Sequence, residues 1–302
     1  MKYEIFKKLT NYLYCLDCNN DLLLKDYNYV CNYCKRNYPI INNIPRFVDK
    51  KYYSLSKNNS DIEKKNKNYF GHEWDYFNNW GFVDKKEISL NNLDQYIGGT
   101  YQDRKNAFDS KCRLESKEIE SKVVLDAGCG NGRYTYEAAS RANKNSLIIG
   151  IDIGYGSVES ANKNNISFDN VVIIQSSLFK LPFKSYAIDS AFSNGVLMHT
   201  GDAKKAFSEV ARCIKHKGVF IAHVYGKLNA IWEFNDKWIR KFTTRLSIES
   251  GMSFAKFLAK VAQCINKIPN GLKIINLFIR LQTSHHHMFD WYCAPVASHH
   301  TI

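Results

Sequence analysis

Four cysteines near the N-terminus have the residue type and spacing of a metal site. Cys15-x-x-Cys18 and Cys31-x-x-Cys34 are separated by twelve residues, and two such pairs match the ligand spacing of a tetrathiolate zinc site. A gap of two residues lets both sulfurs of a pair face one ion, and four thiolates complete the tetrahedral coordination of zinc. Because no coordination position remains for water or substrate, the site is predicted to be structural.

A glycine-rich turn is the second feature with chemical potential. Gly128-x-Gly130-x-Gly132 lies between a predicted strand and a predicted helix, and Asp152 follows the next apolar strand. Glycines allow a tight turn and a close approach to a ligand, and a carboxylate placed like Asp152 can accept hydrogen bonds from both hydroxyls of a ribose. Arg133 stands where a dinucleotide fingerprint has its third glycine, and the lysine of a Walker loop is missing.

Several segments, in order, resemble class I S-adenosylmethionine-dependent methyltransferases. VLDAGCGNGR and GIDI surround the glycine turn and Asp152, and the ribbon at residues 13–48 resembles those that precede many bacterial methyltransferases and the small activator subunit of tRNA methyltransferases. The other similar segments are NYFGHEWDYF (68–77), IIQSSLFKLPF (173–183), AIDSAFSNGVLMHT (187–200) and AFSEVARCIKHKGVFIAHVY (206–225).

The resemblance implies that S-adenosylmethionine is the cofactor and indicates the residues that would hold it. The glycine turn and Asp126 would hold the methionyl portion, Asp152 the ribose, and Ile153 would pack on the adenine. Family members usually have an aspartate where this chain has Ser177, which weakens or re-routes the contact to the adenine amino group. The predicted cofactor-binding residues are Asp126, Gly128, Cys129, Gly130, Asn131, Gly132, Asp152, Ile153, Ser177, Leu178 and Asn194.

The segment after the fourth strand of the sheet indicates the kind of acceptor. Family members that methylate exocyclic or glutamine nitrogens usually carry an Asn/Asp-Pro-Pro-Tyr motif, whereas this chain has Ser193-Asn194-Gly195-Val196. His199 follows at the carboxyl edge of the sheet, where such folds bind ligands. It is a candidate base for a hydroxyl acceptor, because its side chain titrates nearest neutrality. The alternative is that His199 is a polar residue on the rim of the cofactor site.

We predict a doubly wound, Rossmann-like α/β fold with a mostly parallel sheet in the strand order 3-2-1-4-5, a small zinc ribbon and a helical lid. The boundaries are a zinc ribbon at 1–49, a polar linker at 50–68, the cofactor-binding domain at 69–228, and the lid with the C-terminal segment at 229–302. The ribbon is expected to be an independent module, so that loss of zinc would leave cofactor binding mostly intact.

The C-terminal part of the chain leads to three further expectations. Few residues follow Trp291, so the helix and antiparallel strand pair that complete the family's seven-stranded sheet are expected to be missing. The fifth strand would then lie at an edge, covered by the lid or by a second copy in a homodimer. Three consecutive histidines at 285–287 are expected to form a solvated turn without a metal.

Charge is concentrated at the two ends of the chain. The net charge is +13; residues 1–68 carry 13 basic and 7 acidic side chains, and residues 226–302 carry 10 and 4. Basic flanks attract anionic partners such as RNA, although a compositional bias would give the same counts. The amphipathic segments of residues 229–283 are predicted to cover the acceptor site, with contact to a membrane surface as the alternative.

These features favour a methyltransferase that acts on an oxygen of a small molecule, a saccharide or a lipid-linked intermediate. An RNA methyltransferase that uses its basic ribbon for binding is the second hypothesis, and a non-catalytic methyltransferase-like scaffold is the third. The N-terminus has no apolar signal segment. Four cysteines that cluster at a metal site, with the others scattered singly as free thiols, are typical of a reducing compartment. A cytoplasmic location is therefore predicted.

Overall fold

The computed structural model describes residues 2–49, 62–84, 86, 99–226 and 230–294. Of the predicted linker at 50–68, positions 50–61 lie outside the described residues, as does the end of the C-terminal segment at 295–302. Helix α2 (Ile62–Tyr76) includes residues 62–68, so the prediction of a linker there is wrong. The helix contains NYFGHEWDY, whose aromatic side chains pack against other parts of the chain and stabilise the helix.

Five parallel strands form the centre of the sheet in the spatial order β7-β6-β5-β8-β9, which confirms the predicted order 3-2-1-4-5. Their near-continuous apolar runs are typical of strands buried on both faces, and every residue of β7 is buried. The strands are β5 (Val123–Ala127), β6 (Leu147–Asp152), β7 (Val171–Ser176), β8 (Ile188–Asn194) and β9 (Ile214–His223).

Alternate residues of these strands contribute to two hydrophobic clusters, one on each face of the sheet. Val123 and Leu125 lie in the cluster that also contains α1 and α7, whereas Val124 lies in the cluster with α4, α5 and α6. The helices that precede or alternate with the central strands are α1 (Lys2–Thr10), α3 (Tyr101–Ala107), α4 (Ser116–Ile119), α5 (Arg133–Ser140), α6 (Tyr155–Asn164) and α7 (Ala203–Cys213).

The N-terminal ribbon is part of the same sheet. Strands β1 (Leu22–Lys25), β2 (Asn28–Cys31), β3 (Asn37–Ile41) and β4 (Ile44–Phe47) pair antiparallel in sequence order, and β4 then pairs parallel with β7. The expectation of a sheet with five parallel strands is therefore incomplete, because β4 adds a sixth. The expectation of an independent ribbon is also wrong, because all four residues of β4 are buried.

The ribbon shares its hydrophobic core with the central domain. Phe6 and Leu9 of α1, with Phe47 of β4, lie in one cluster with Leu181 and Phe183, which follow β7. The backbone also connects the two parts, since the amide of Tyr14 donates to the carbonyl of Pro182 at 3.0 Å. Unfolding the ribbon would expose apolar surface of the central domain to water, which costs free energy.

Within the described residues, four helices follow β9 and share a hydrophobic cluster with α2: α8 (Ala230–Thr243), α9 (Ile248–Asn266), α10 (Gly271–Ile275) and α11 (His285–Cys293). The prediction of a solvated turn at the three histidines is wrong, because they begin α11 and His286 is only 5% exposed. The reason is tertiary: the imidazole of His286 stacks on Trp80 with ring centroids 4.4 Å apart. Within the described part of the chain, no helix combines the length and apolar character needed to cross a membrane.

Candidate active site

The glycine turn lies between the end of β5 and the start of α5, pressed against two other segments. Gly128 and Gly130 have φ values of +90° and +53°, in the left-handed region that favours glycine. A Cβ atom on Gly128 would lie 2.3 Å from a methyl of Val196, and one on Gly130 would lie 2.9 Å from the indole of Trp74. Both positions therefore require glycine for backbone conformation and for space.

Asp152 stands at the end of β6, directly opposite this turn. Its carboxylate accepts hydrogen bonds from the amide of Gly130 at 3.0 Å and from the amide of Gly154 at 2.8 Å. Burial raises the pKa of Asp152, and these two backbone donors act against that shift. The carboxylate is thus fixed in position at the wall of a cleft.

The cleft extends along the carboxyl edge of the sheet and is bordered by the glycine turn, by the segment after β8 and by residues of α2 and α11. Ten of the predicted site residues line it: Gly128, Cys129, Gly130, Asn131, Asp152, Ile153, Ser177, Leu178, Asn194 and His199.

Two predicted cofactor residues, Asp126 and Gly132, do not line the cleft. Asp126 is buried inside the sheet, where its carboxylate accepts a hydrogen bond from the hydroxyl of Thr135 at 2.7 Å. Burial raises the pKa of Asp126 to about 7. Gly132 instead allows close packing of α5 on α6, because a Cβ there would lie 2.9 Å from Ala161.

His199 lies at the end of a short 3₁₀ turn, Leu197–His199, that follows β8. Its Nε2 atom is 4.0 Å from Oδ1 of Asp290, which α11 brings to the cleft. The edge of its ring contacts Phe70 of α2, with centroids 5.1 Å apart. The lid and α2 thus fix the imidazole between a carboxylate and an aromatic ring, facing the cleft.

The α2 segment FGHEW contributes two further residues to the cleft, Glu73 and Trp74. Glu73 is 1% exposed and its Oε1 lies 3.3 Å from Nε2 of His286. Burial, reinforced by Asp290 and opposed by Arg133, holds the pKa of Glu73 well above its usual range. The protonated form of Glu73 is favoured by this shift, because an ionised carboxylate in the interior carries a desolvation cost.

Positive side chains lie on the wall next to the glycine turn. Lys111 and Arg133 both line the cleft, and the guanidinium of Arg133 lies over the rings of Trp74 and Tyr134, 5.2 and 4.7 Å from their centroids. Burial lowers the pKa of Lys111, and the positive charge of Arg133 lowers it further. Burial together with these cations lowers the pKa of His287 to about 4. The wall suits an anionic group.

A family model described as a methyltransferase domain matches residues 119–284, more than half of the chain. The chain belongs to this methyltransferase family. The match begins just before β5 and includes the glycine turn, Asp152 and His199. The prediction that the chain is a member of the methyltransferase family is thereby confirmed.

Individual relatives are more distant. The methyltransferase is 28% identical over 120 residues to a malonyl-[acyl-carrier protein] O-methyltransferase of Methylovorus sp. (strain MP688), a match that covers 38% of this chain and 40% of that protein. It is 32% identical over 145 residues to a tRNA U34 carboxymethyltransferase of Ruthia magnifica, covering 45% of each. The chain thus spans about two fifths of the length of the first curated relatives it matches.

Among solved structures, an S-adenosylmethionine-dependent methyltransferase from Aquifex aeolicus aligns with 21% identity over 43% of this chain and 65% of that chain, with a TM-score of 0.33. A Haloferax volcanii methyltransferase in complex with its Trm112 activator aligns with 20% identity over 41% and 57%, with a TM-score of 0.35.

The four cysteines of the methyltransferase come together as their spacing predicts. Their sulfur atoms all lie within 4.8 Å of one another, with 3.4 Å between Cys15 and Cys34 and 3.5 Å between Cys18 and Cys31. Zinc–thiolate bonds of about 2.3 Å place tetrahedral sulfurs ~3.8 Å apart. The donor set and its size therefore fit one zinc ion.

The two cysteine pairs of the methyltransferase have the same backbone geometry. The amide of Asn19 donates to the carbonyl of Cys15 at 2.9 Å, and the amide of Lys35 donates to that of Cys31 at 3.0 Å. Both donors adopt left-handed conformations, with φ values of 58° and 61°. Each pair thus forms a tight turn that directs its two sulfurs to the same side.

Several cleft residues of the methyltransferase were missed by sequence reasoning. The sequence assigns no role to the residues of NYFGHEWDYF beyond the family resemblance, and it places the histidines at 285–287 in a solvated turn. Arg133 stands where a dinucleotide fingerprint has its third glycine, and the sequence assigns it no role in the site. The missed residues are Glu73, Trp74, Lys111, Arg133, Tyr225, His286, His287 and Asp290. No local spacing links them, because they come from five separate parts of the chain.

Proposed function

We propose that this methyltransferase uses S-adenosylmethionine to methylate an oxygen atom of a small molecule, a saccharide or a lipid-linked intermediate. The observation that carries the proposal is the position of His199 in the cleft, 4.0 Å from Asp290. A hydroxyl acceptor must lose a proton as its oxygen is methylated, and a positioned imidazole can take that proton. Asp290 orients the imidazole and stabilises the positive charge that forms on it.

The cofactor supplies an electrophilic methyl group when bound, and we assign the cleft residues that would hold it. The amides around Gly128 and Gly130 would contact the methionyl portion. Arg133, one residue beyond that turn, would pair with the methionyl carboxylate. Asp152 would accept from the ribose hydroxyls, with Ile153 against the adenine. Ser177 and Leu178 also line the cleft, and Ser177 would contact the adenine through a neutral hydroxyl.

The end of β8 and the two residues after it support an oxygen rather than an amine acceptor. In the segment Ser193–Val196, the hydroxyl of Ser193 donates to the backbone carbonyl of Ala127 at 2.8 Å and is buried. It is therefore turned away from the cleft, and Asn194 alone of these polar side chains lines it. An exocyclic nitrogen would need several fixed acceptors for its hydrogens, which this segment does not offer.

We also infer that Cys15, Cys18, Cys31 and Cys34 hold one structural zinc ion. The donor set is complete, so the ion would stabilise the ribbon and take no part in methyl transfer. We propose a cytoplasmic location, in keeping with clustered free thiols. A homodimer through β9 is a further proposal: within the described residues this strand bonds to β8 on one side and to no strand on the other.

The proposal is tested by incubating the purified chain with S-adenosylmethionine labelled on its methyl group and a fractionated cell extract. We expect label in small-molecule, saccharide or lipid fractions, attached through oxygen, and none with an Asp152→Ala control. Label in RNA would support the hypothesis of an RNA methyltransferase. One relative of this chain is a tRNA U34 carboxymethyltransferase. Cofactor binding without transfer to any fraction would favour a non-catalytic scaffold.

A further inference from the structure

Helix α8 exposes its apolar side chains instead of burying them. Ile231, Phe234, Trp238 and Phe242 are 51%, 63%, 51% and 65% exposed. Spacings of three and four residues place them in one stripe along the helix. The sequence predicted that such a stripe would cover the acceptor site, and this is wrong for α8, where the stripe faces outward.

The buried face of α8 is polar and fixes this orientation. Its buried residues are Asp236, Arg240 and Thr243, on the opposite side of the helix from the apolar stripe. The guanidinium of Arg240 donates to the carbonyls of Trp291 and Ala294, and the hydroxyl of Thr243 donates to the carbonyl of Tyr292. These bonds satisfy carbonyls at the end of α11 that would otherwise be unpaired. Rotating α8 so that its apolar stripe faced inward would break these hydrogen bonds. Apolar side chains would then be buried against carbonyls that had lost their donors.

The exposed apolar surface extends beyond α8 onto the segment after α10. The side chain of Asn235 donates to the carbonyl of Phe278 at 2.7 Å, which joins the two elements. Leu277 and Phe278 are 60% and 52% exposed. We call the combined surface the α8 face: Ile231, Phe234, Trp238, Phe242, Leu277 and Phe278. Contiguous exposed apolar surface of this kind marks an interaction site.

Cations border the α8 face. Lys237, Lys241 and Arg245 are exposed along one flank of the stripe, and the ammonium of Lys241 lies 5.1 Å from the ring centroid of Trp238. Of the two acidic residues of α8, Asp236 is buried on the inner face. Aromatic and aliphatic side chains beside lysine and arginine are typical of a helix that lies in the interface of a bilayer with anionic lipids.

We propose that the α8 face binds the surface of an anionic phospholipid bilayer. The apolar stripe would enter the boundary between headgroups and acyl chains, while Lys237, Lys241 and Arg245 contact lipid phosphates. The charge complementarity selects a bilayer rather than a neutral apolar partner. Because α8 is bonded to α11, which carries Asp290, binding would bring the cleft close to lipid-linked molecules. This goes beyond the proposed methyl transfer and does not depend on it.

The test is co-sedimentation of the full chain with vesicles of phosphatidylcholine alone or mixed with phosphatidylglycerol. We expect binding to the anionic vesicles, weaker binding at high salt, and little binding to phosphatidylcholine. Ile231→Asp should lower the partition coefficient roughly tenfold or more, since it replaces a membrane-inserted apolar group by a charge. The matched control is Ile166→Asp: Ile166 follows α6 and is 68% exposed, and we expect its partition coefficient to change less than about twofold.

Three outcomes would overturn the proposal. The wild-type chain could stay in the supernatant with anionic vesicles, or Ile166→Asp could weaken binding as much as Ile231→Asp. In the third, light scattering without lipid would show a dimer that Ile231→Asp converts to a monomer, with no vesicle binding by the wild type. Circular dichroism and thermal melting establish that each variant is folded, and no acceptor or turnover is needed, so the result is separate from that of the methyl-transfer assay.

Discussion

The guanidinium of Arg46 donates a hydrogen bond to the side-chain oxygen of Gln175 at 2.9 Å, and this bond joins the ribbon to the cofactor-binding sheet. Both residues are buried, on β4 and β7 respectively. Gln175 in turn donates to the carbonyl of Ile153 at 3.0 Å, next to Asp152. Two hydrogen bonds thus connect the ribbon to the end of β6 that faces the cleft.

Replacing Arg46 should destabilise the whole chain. Arg46→Ala removes the bonds to Gln175 and to Glu159 and leaves polar groups unpaired, which costs roughly 3 kcal/mol of unfolding free energy. The matched control is Arg36→Ala, because Arg36 makes ion pairs with Asp17 and Asp49 at the exposed surface, where such pairs contribute about 0–1 kcal/mol. Urea unfolding measures both. Equal effects would contradict the coupling of ribbon and sheet.

Loss of zinc should affect the cofactor-binding domain, contrary to the expectation from a modular ribbon. Cys15→Ser/Cys31→Ser should abolish zinc binding and lower the melting temperature of the single transition by about 5 °C or more. Cofactor affinity should fall as well, because β4 supports β7. Metal analysis and calorimetry measure these effects, with Cys264→Ser, an exposed cysteine on α9, as control. Unchanged zinc content would refute the site, and unchanged cofactor affinity would refute the coupling.

Asp152→Ala should weaken binding of S-adenosylmethionine strongly. Two ribose hydroxyls would lose a charged acceptor, and each such hydrogen bond contributes roughly 1.5–3 kcal/mol. The amides of Gly130 and Gly154 would also lose their acceptor, which loosens the glycine turn. Titration calorimetry measures the affinity, and Asp189→Ala on β8 is a control that removes a carboxylate outside the cleft. Wild-type affinity in Asp152→Ala would contradict the assignment.

His199→Ala should greatly reduce turnover without weakening cofactor binding. A positioned base contributes about 10²–10⁴-fold to the rate, so kcat should fall by that factor. Asp290→Asn should have a smaller effect in the same direction, since the imidazole remains. His216→Ala is the control, because His216 stacks on Tyr186 at the exposed surface. If His199→Ala retains full turnover, the histidine is a rim residue rather than the base.

Asp126 should make stability depend on pH near neutrality. Its folded pKa of about 7 lies above the ordinary value of 3.8, so between these values the folded chain keeps a proton that the unfolded chain has lost. Stability contributed by this group therefore falls as pH rises toward 7 and is not regained above it. From about pH 5.5 to 8, the wild type should lose roughly 2 kcal/mol relative to Asp126→Asn. Urea unfolding measures the free energy of unfolding of both proteins at each pH. If the two free energies changed with pH in parallel, the prediction would be wrong, because Asp126 would then already be ionised in the folded chain.

Features that depend on neighbouring residues could be predicted from the sequence alone. The cysteine pairs bring their sulfurs together because two residues between ligands suffice for one tight turn. The glycine turn and Asp152 could be located because each follows a short apolar strand, and the carboxyl ends of parallel strands meet at one edge. The order of the five central strands followed from the resemblance to a family whose connections are right-handed.

Other features depend on contacts between distant segments, and only the tertiary structure decided them. The pairing of β4 with β7 could not be seen in IPRF, because its arginine becomes an interior residue only through the side chains of Gln175 and Glu159. The site at His199 is completed by Asp290 and Glu73, and no periodicity connects α2, β8 and α11. Helix α8 has the apolar spacing of a core-facing helix, yet its polar side is buried, because Arg240 and Thr243 donate hydrogen bonds to carbonyls at the end of α11.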